Sequence, residues 1–461
     1  MRKILKFNIL FIIILFTILF FTGSKVEAMQ YAYSIGSKYG TGLNHAGDDF
    51  TQNVLTAANA YGRLSNVTSY YRTEPTYSYL TGNNALGQRR IASHIVFVNG
   101  HANATLIMTP AKNEADYRVG ICTGYDGART TDGLYTFAGL NSVNMSSCSL
   151  ITFAGCSTGQ GIDSLTGLAY TRGAKIAVGF NGEISSRSTQ GRSWLQTYNN
   201  SLGNGNSVYT SIINACNAYP NSDLSVEVIV AGDTGTTLGV GNLSTMNLNS
   251  NFLQKVDPIS NTYEVIANTS LNIEEKQMNH KNDKLDSCED EFKDIISIIK
   301  NSDADFEVSD YTVTSNLFDK EKGDGLIFFK YFINDKIETN KVYMGIIKNN
   351  KLQNIILSGV KKENISNLSS DLDKEIDKTI DFENKKIENI LKNQGKTKTI
   401  KIDNIQLNSE GKIEKNSLDN AKDVKEKYYF DYNTQELKYI LSVTQEKEYE
   451  TQDVEVIEIV L

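Results

Sequence analysis

Two short runs set the main constraint on this chain. Ile95-Val-Phe-Val98 is apolar throughout, and Leu150-Ile-Thr-Phe153 carries a single threonine among apolar residues. Runs of that length and composition suit strands of a sheet buried on both faces. Such a sheet needs helices on both sides, and the flanking sequence supplies them. From residue 29 onward, short β-rich runs alternate with helical stretches, the mark of an α/β fold with a mostly parallel sheet. Strands are expected at 31–35, 67–71, 95–98, 150–153, 175–180 and 224–230, with right-handed crossovers. Phe50, Val54, Ala57 and Tyr61 fall at helical spacing before a stop at Gly62. A further helix is expected at 165–170. Two more come after it, one with Trp194, Tyr198 and Leu202, the other with Val208, Ile212 and Ala215.

Composition divides the chain. Residues 1–250 hold 16 Lys+Arg against 13 Asp+Glu, and the other 211 hold 30 against 41. Glycine falls as 28 before residue 250 and 6 after, and neither arginine nor proline occurs beyond Pro258. Two modules joined by an Asn/Ser-rich linker at 246–265 account for this. The second, 266–461, reads as an acidic α+β module. It has a helix near 291–299, strands at 326–333, 341–347, 428–432, 437–443 and 454–461, and a charged helix at 368–391. Asn349-Asn350 and Asn433-Thr434 lie between strand pairs as turns.

Residues 1–28 read as an address. Arg2, Lys3 and Lys6 precede an apolar run at 9–21, and Val26-Glu27-Ala28 resembles a small-residue cleavage site. An uncleaved anchor is the alternative, but the run falls short of the roughly 20 residues that a span needs. The protein is therefore expected to be exported, secreted or at the cell surface, with no membrane association after cleavage and 29–245 as its first folded domain. A net charge of −8 speaks against a nucleic-acid partner. Five cysteines in 461 residues are not a disulfide scaffold, and four histidines do not suggest an imidazole-rich metal site.

The endings of the two apolar runs carry the chemistry. One closes in Asn99-Gly100-His101 and the other in Ala154-Gly155-Cys156. Reactive groups of open α/β sheets gather at the carboxyl ends of strands. A thiol needs a base nearby, because the thiolate is the nucleophile. A helix start just beyond Cys156 would lower its pKa further. Taken singly, a lone cysteine more commonly packs as a small hydrophobe.

The run from Ile95 to His101, joined some 50 residues later by Leu150-Ile-Thr-Phe-Ala-Gly-Cys-Ser-Thr158, resembles the caspase-like cysteine peptidases, nearest the CHAT, clostripain, gingipain and metacaspase branches. Arg172-Gly-Ala-Lys-Ile-Ala-Val-Gly179 is similar to the family's next strand, and Trp194 with residues 203–218 to its last two helices. The resemblance covers most of residues 30–235 and none of the second module. It implies Cys156 as nucleophile and His101 as acid/base, with the backbone N–H groups of Ala102 and Cys156 binding the oxyanion. The family normally has glycine where this chain has Ala102.

The resemblance also implies a pocket for a basic P1 side chain lined by Asp49 and Asp48, from the pattern Leu43-x-x-x-Gly47-Asp48-Asp49. Glu183 is a further candidate acid for that pocket. Both aspartates could equally serve as helix caps. His45 reads as a solvated loop residue, and His94 lies at the far end of its strand from the tip. Cys122 and Cys148 could pair or remain free thiols. No cofactor is expected. Some family members require Ca²⁺, for which Asp126 with Asp132 would be the candidates, but no EF-hand spacing supports them.

The implied function is an exported cysteine endopeptidase acting on proteins or peptides. Its acidic module would serve substrate docking, cell-surface attachment or inhibition, and Lys255 or Lys276 are candidate self-cleavage sites. The alternative is a catalytically inactive caspase-fold binding or surface protein, with Ala102 marking decay of the site.

Overall fold

The computed structural model describes residues 29–36, 38–39, 48–109, 118–129, 135–233, 235–238, 263–319, 322–333, 337–360, 421–434, 436–446 and 452–460. The expected leader at 1–28, His45, Asp132, Lys255, the helix at 368–391 and most of the linker lie outside these residues.

The first part is α/β. Its strands are β1 (Gln30–Gly36), β2 (Val67–Arg72), β3 (Ile95–Asn99), β4 (Leu106–Met108), β5 (Arg118–Cys122), β6 (Ala128–Arg129), β7 (Tyr135–Gly139), β8 (Leu150–Ala154), β9 (Ile176–Phe180) and β10 (Val228–Gly232). Its helices are α1 (Thr51–Tyr61), α2 (Tyr77–Thr81), α3 (Leu165–Thr171), α4 (Thr189–Gly203), α5 (Val208–Ala218) and α6 (Asp223–Glu227). The main sheet runs β10-β9-β8-β3-β1-β2, parallel except for the antiparallel edge strand β10. Every residue of β3, β8 and β9 is buried, in keeping with their mainly apolar sequences.

Two features differ from the sequence reading. The last strand begins at Val228, not at Leu224. Ser222 caps the Leu224 N–H and starts the short helix α6 over 223–227. Strands β4 to β7, between the two site loops, form a separate small sheet of order β4-β5-β7-β6.

The second part carries β11 (Tyr263–Asn272), β12 (Asp283–Lys284), β13 (Tyr311–Asp319), β14 (Asp324–Ile333), β15 (Ile337–Lys348), β16 (Lys351–Ser358), β17 (Ala421–Asp431), β18 (Glu436–Glu446) and β19 (Gln452–Val460), with the helix α7 (Glu289–Ser302). The main path of its sheet runs from β12 to β19, and β11 pairs with β16. Strand β11 therefore begins within the stretch expected to be linker. Asn349 and Asn350, at φ 53° and 57°, make the tight turn between β15 and β16, a conformation that asparagine tolerates better than most residues.

The two parts share a core. One face of the second sheet buries Phe292, Ile295 and Ile299 of α7. Its other face contributes Leu326, Phe328, Val342 and Met344 to the cluster that holds Trp194, Leu202, Val208 and Ile212. Ser358 Oγ donates to the Asn217 carbonyl at 2.6 Å, and Tyr209 donates to the Ile347 carbonyl at 3.2 Å. Hydrophobic burial thus joins the parts continuously. No described helix is long and apolar enough to cross a membrane.

Candidate active site

Strands β3 and β8 are parallel neighbours whose last register pair is Asn99↔Ala154. His101 and Cys156 each stand two residues past that pair, so both loops leave the sheet side by side at its carboxyl edge. The loops touch. A methyl group placed on Gly155 would lie 2.6 Å from the Ala102 methyl and 2.8 Å from the Gly100 carbonyl oxygen. Only glycine fits there.

The Cys156 loop is tied on its other side to the segment after β9. Ser157 N–H donates to the Gly182 carbonyl at 2.8 Å, and Phe180 N–H donates to Thr158 Oγ1 at 3.2 Å. Ser157 has φ 58°, a left-handed conformation uncommon for a residue with a side chain, and it turns the chain sharply just past the thiol. Cys156 Sγ lies 3.4 Å from both the backbone N and the carbonyl oxygen of Ile184, accepting from one and donating to the other. Helix α3 begins only at Leu165, so its first-turn dipole does not act at Cys156 as the sequence suggested.

His101 is fixed by a carboxylate. Its Nε2 lies 2.7 Å from Asp48 Oδ2, and the other oxygen, Oδ1, lies 2.6 Å from Arg187 Nη1. His101 and Asp48 are 1% and 4% exposed. A carboxylate so buried needs both partners to offset its desolvation. The imidazole also packs edge-on against Phe50, ring centres 5.2 Å apart, and lies 4.7 Å from the Tyr39 ring. Tyr39 Oη accepts the His101 backbone N–H at 3.3 Å.

A buried amide network braces this arrangement. Asn53 Nδ2 donates to Asn99 Oδ1 at 2.7 Å and to the Ser186 carbonyl at 2.8 Å. Asn99 Nδ2 in turn donates to Ser186 Oγ at 3.1 Å and to the Ala154 carbonyl. Helix α1, both site strands and the loop that carries Arg187 are thereby locked together.

The other expected site residues take up separate positions. Asp48 is committed to His101 and Arg187. Asp49 lies just before α1, its Oδ1 accepting the Thr51 N–H at 2.8 Å and its Oδ2 lying 3.7 Å from Lys38 Nζ. Glu183 adjoins Ile184, and its Oε2 accepts from Thr444 Oγ1 at 2.8 Å. Ala102 is buried, and its backbone bridges Ile107 on one side and Gln452 on the other. His94 sits at the opposite end of β3, near the Leu238 carbonyl.

Cys122 and Cys148 form no disulfide, and neither do the other three cysteines. Burial pushes the Cys148 and Cys216 thiols up to about 12. Asp126 pairs with Arg89 and accepts the Gly139 N–H at 2.8 Å. Among the described residues no group of metal-ligating side chains gathers.

Arg187, Asn53, Asn99, Tyr39 and Phe50 carry no motif of their own. Asp48 reads from the sequence as a pocket or cap residue, and the structure places it against His101 and Arg187. The sequence signal that bears on this role is an aspartate opening the helix beside β1, with an arginine in the loop after β9. The chain matches no protein-family model and no curated protein.

Proposed function

We propose that the protein is a caspase-like cysteine endopeptidase in which Cys156 is the nucleophile and His101 the acid/base. The observation that carries this reading is the equal offset of the two residues from one register pair of adjacent parallel strands. Transfer of the thiol proton to His101 gives a thiolate and an imidazolium that Asp48 stabilises. The thiolate adds to the scissile carbonyl carbon. As the C–N bond breaks, His101 gives its proton to the leaving amine, and a thioester remains. Water, deprotonated by His101, then hydrolyses the thioester and restores the thiol.

The caspase-like architecture is likewise proposed, supported by the strand order and by helices α4 and α5 coming after β9. Because Asp48 is taken up by its two partners, a basic P1 preference falls chiefly to Glu183, beside the nucleophile's anchor. An oxyanion site at the Ala102 and Cys156 backbones belongs to the same proposal, as does export directed by residues 1–28. A specific observation favours the second reading, a non-catalytic binding protein: Cys156 is only 3% exposed and His101 1%.

Alkylation of the full chain by iodoacetamide at neutral pH, mapped by mass spectrometry, separates the two. His101→Ala is expected to slow labelling of Cys156 about ten-fold or more, through loss of the base. Any opening needed for reagent access largely cancels in that ratio. Equal rates would favour the binding protein.

A further inference from the structure

Among the described residues strand β19 ends the nine-stranded sheet, with β18 as its one partner strand there. Its outer edge meets the candidate site. Gln452 and Ala102 form an antiparallel bridge, with the Gln452 N–H donating to the Ala102 carbonyl at 3.0 Å. Strand β18, paired to β19 through Thr444↔Val454 and Glu446↔Gln452, reaches the other site loop, where Thr444 donates to Glu183. Thr444 and Val454 are both buried. One hairpin therefore touches the residue after His101 and the residue before the one that holds the Cys156 sulfur.

We infer that the Ala102 backbone is the edge on which an extended polypeptide docks at this site, and that the β18–β19 hairpin occupies it as a built-in inhibitor; this rests on the peptidase reading. An extended peptide binds a strand edge through main-chain hydrogen bonds, whatever its side chains. The Gln452 N–H makes such a bond to Ala102 from within the chain. Tethering gives the hairpin a high effective concentration, so few contacts suffice to keep it in place. The corresponding substrate class is an unfolded or extended protein segment, able to donate a backbone N–H to the Ala102 carbonyl once the hairpin has moved aside.

Gln452→Pro in the full chain tests this. Proline removes the N–H that reaches Ala102. In an antiparallel strand a residue's N–H and C=O point to the same side, so the ladder to β18 does not use that group. Iodoacetamide labelling of Cys156 is expected to rise about ten-fold over the unmodified chain, as expected for the loss of a buried hydrogen bond that opposes local opening. An unchanged rate in a folded variant would overturn the inference.

Hydrogen exchange of the unmodified chain gives an independent reading. The Gln452 amide is expected to be protected, and exchange at the rate of an open strand edge would overturn the inference as well. Peptide hydrolysis is read separately. Faster labelling without hydrolysis supports occlusion by the hairpin and counts against the peptidase.

Discussion

His101 and Asp48 form a buried pair with Nε2 and Oδ2 2.7 Å apart, although 53 positions separate them in sequence. The carboxylate orients the ring, and Arg187 holds the carboxylate's second oxygen. In the proposed reaction Asp48 acts through His101, as a positioning residue.

Asp48→Asn should leave the ring less well held and its imidazolium less stable. Peptide hydrolysis is expected to fall about 10²-fold, within the range of general acid–base contributions. The pH midpoint for Cys156 alkylation should move upward, because a less stable imidazolium stabilises the thiolate less. A variant that merely loosens the fold would lower the rate without moving the midpoint. Peptide hydrolysis gives the rate, and stopped labelling at a series of pH values gives the midpoint.

Gly155→Ala forces a methyl group to within 2.6 Å of the Ala102 methyl. The two loops must separate, and overpacking of this kind costs about 2 kcal/mol. Urea denaturation is expected to show that loss, and Cys156 alkylation should become less dependent on His101. The same substitution at Gly161, where nothing lies within 4 Å of the added methyl, lacks the steric clash and meets only the strain of its φ of 86°.

Glu338 gives a pH-dependent test of the second part. Lys427 lies 2.6 Å from one of its oxygens and Lys330 3.5 Å from the other. Burial alone would raise its carboxyl, but the two lysines outweigh burial and hold it down at about 2. The folded value lies below the ordinary 4.5, so the stability it adds is complete above pH 4.5 and lost as pH falls toward 2. Asp223 nearby is raised by burial and contributes the opposite slope, so the comparison must be between variants. Glu338→Gln is expected to cost about 2 kcal/mol at pH 7 and to flatten the acid limb of stability. Urea titrations of both proteins from pH 7 to pH 2 check this; parallel acid limbs would contradict it.

Much of this arrangement could be read from the residues. Strands β3, β8 and β9 announce themselves because burial on both faces leaves their sequences mainly apolar, with Asn99 and Thr152 as the polar exceptions. The turn at Asn349-Asn350 is legible because few residues adopt its conformation. Strands β4 to β7 are not legible, being two to five residues long, too short for an alternation or an apolar run to show. Asp48 looks like a helix opener because its partners come from remote segments: His101 from the loop after β3 and Arg187 from the loop after β9. The hairpin's contact with Ala102 is a backbone bond, and backbone bonds leave no trace in side-chain identity.

Hydrolysis of fluorogenic peptides ending in Arg, Lys, Asn or Asp by the full chain carrying Gln452→Pro is the sharpest test of Cys156 as the nucleophile. Cleavage is expected, preferentially after a basic residue, and vanishes when Cys156→Ala is added. No cleavage of any peptide by a folded variant whose Cys156 labels readily, or cleavage that survives Cys156→Ala, would contradict it.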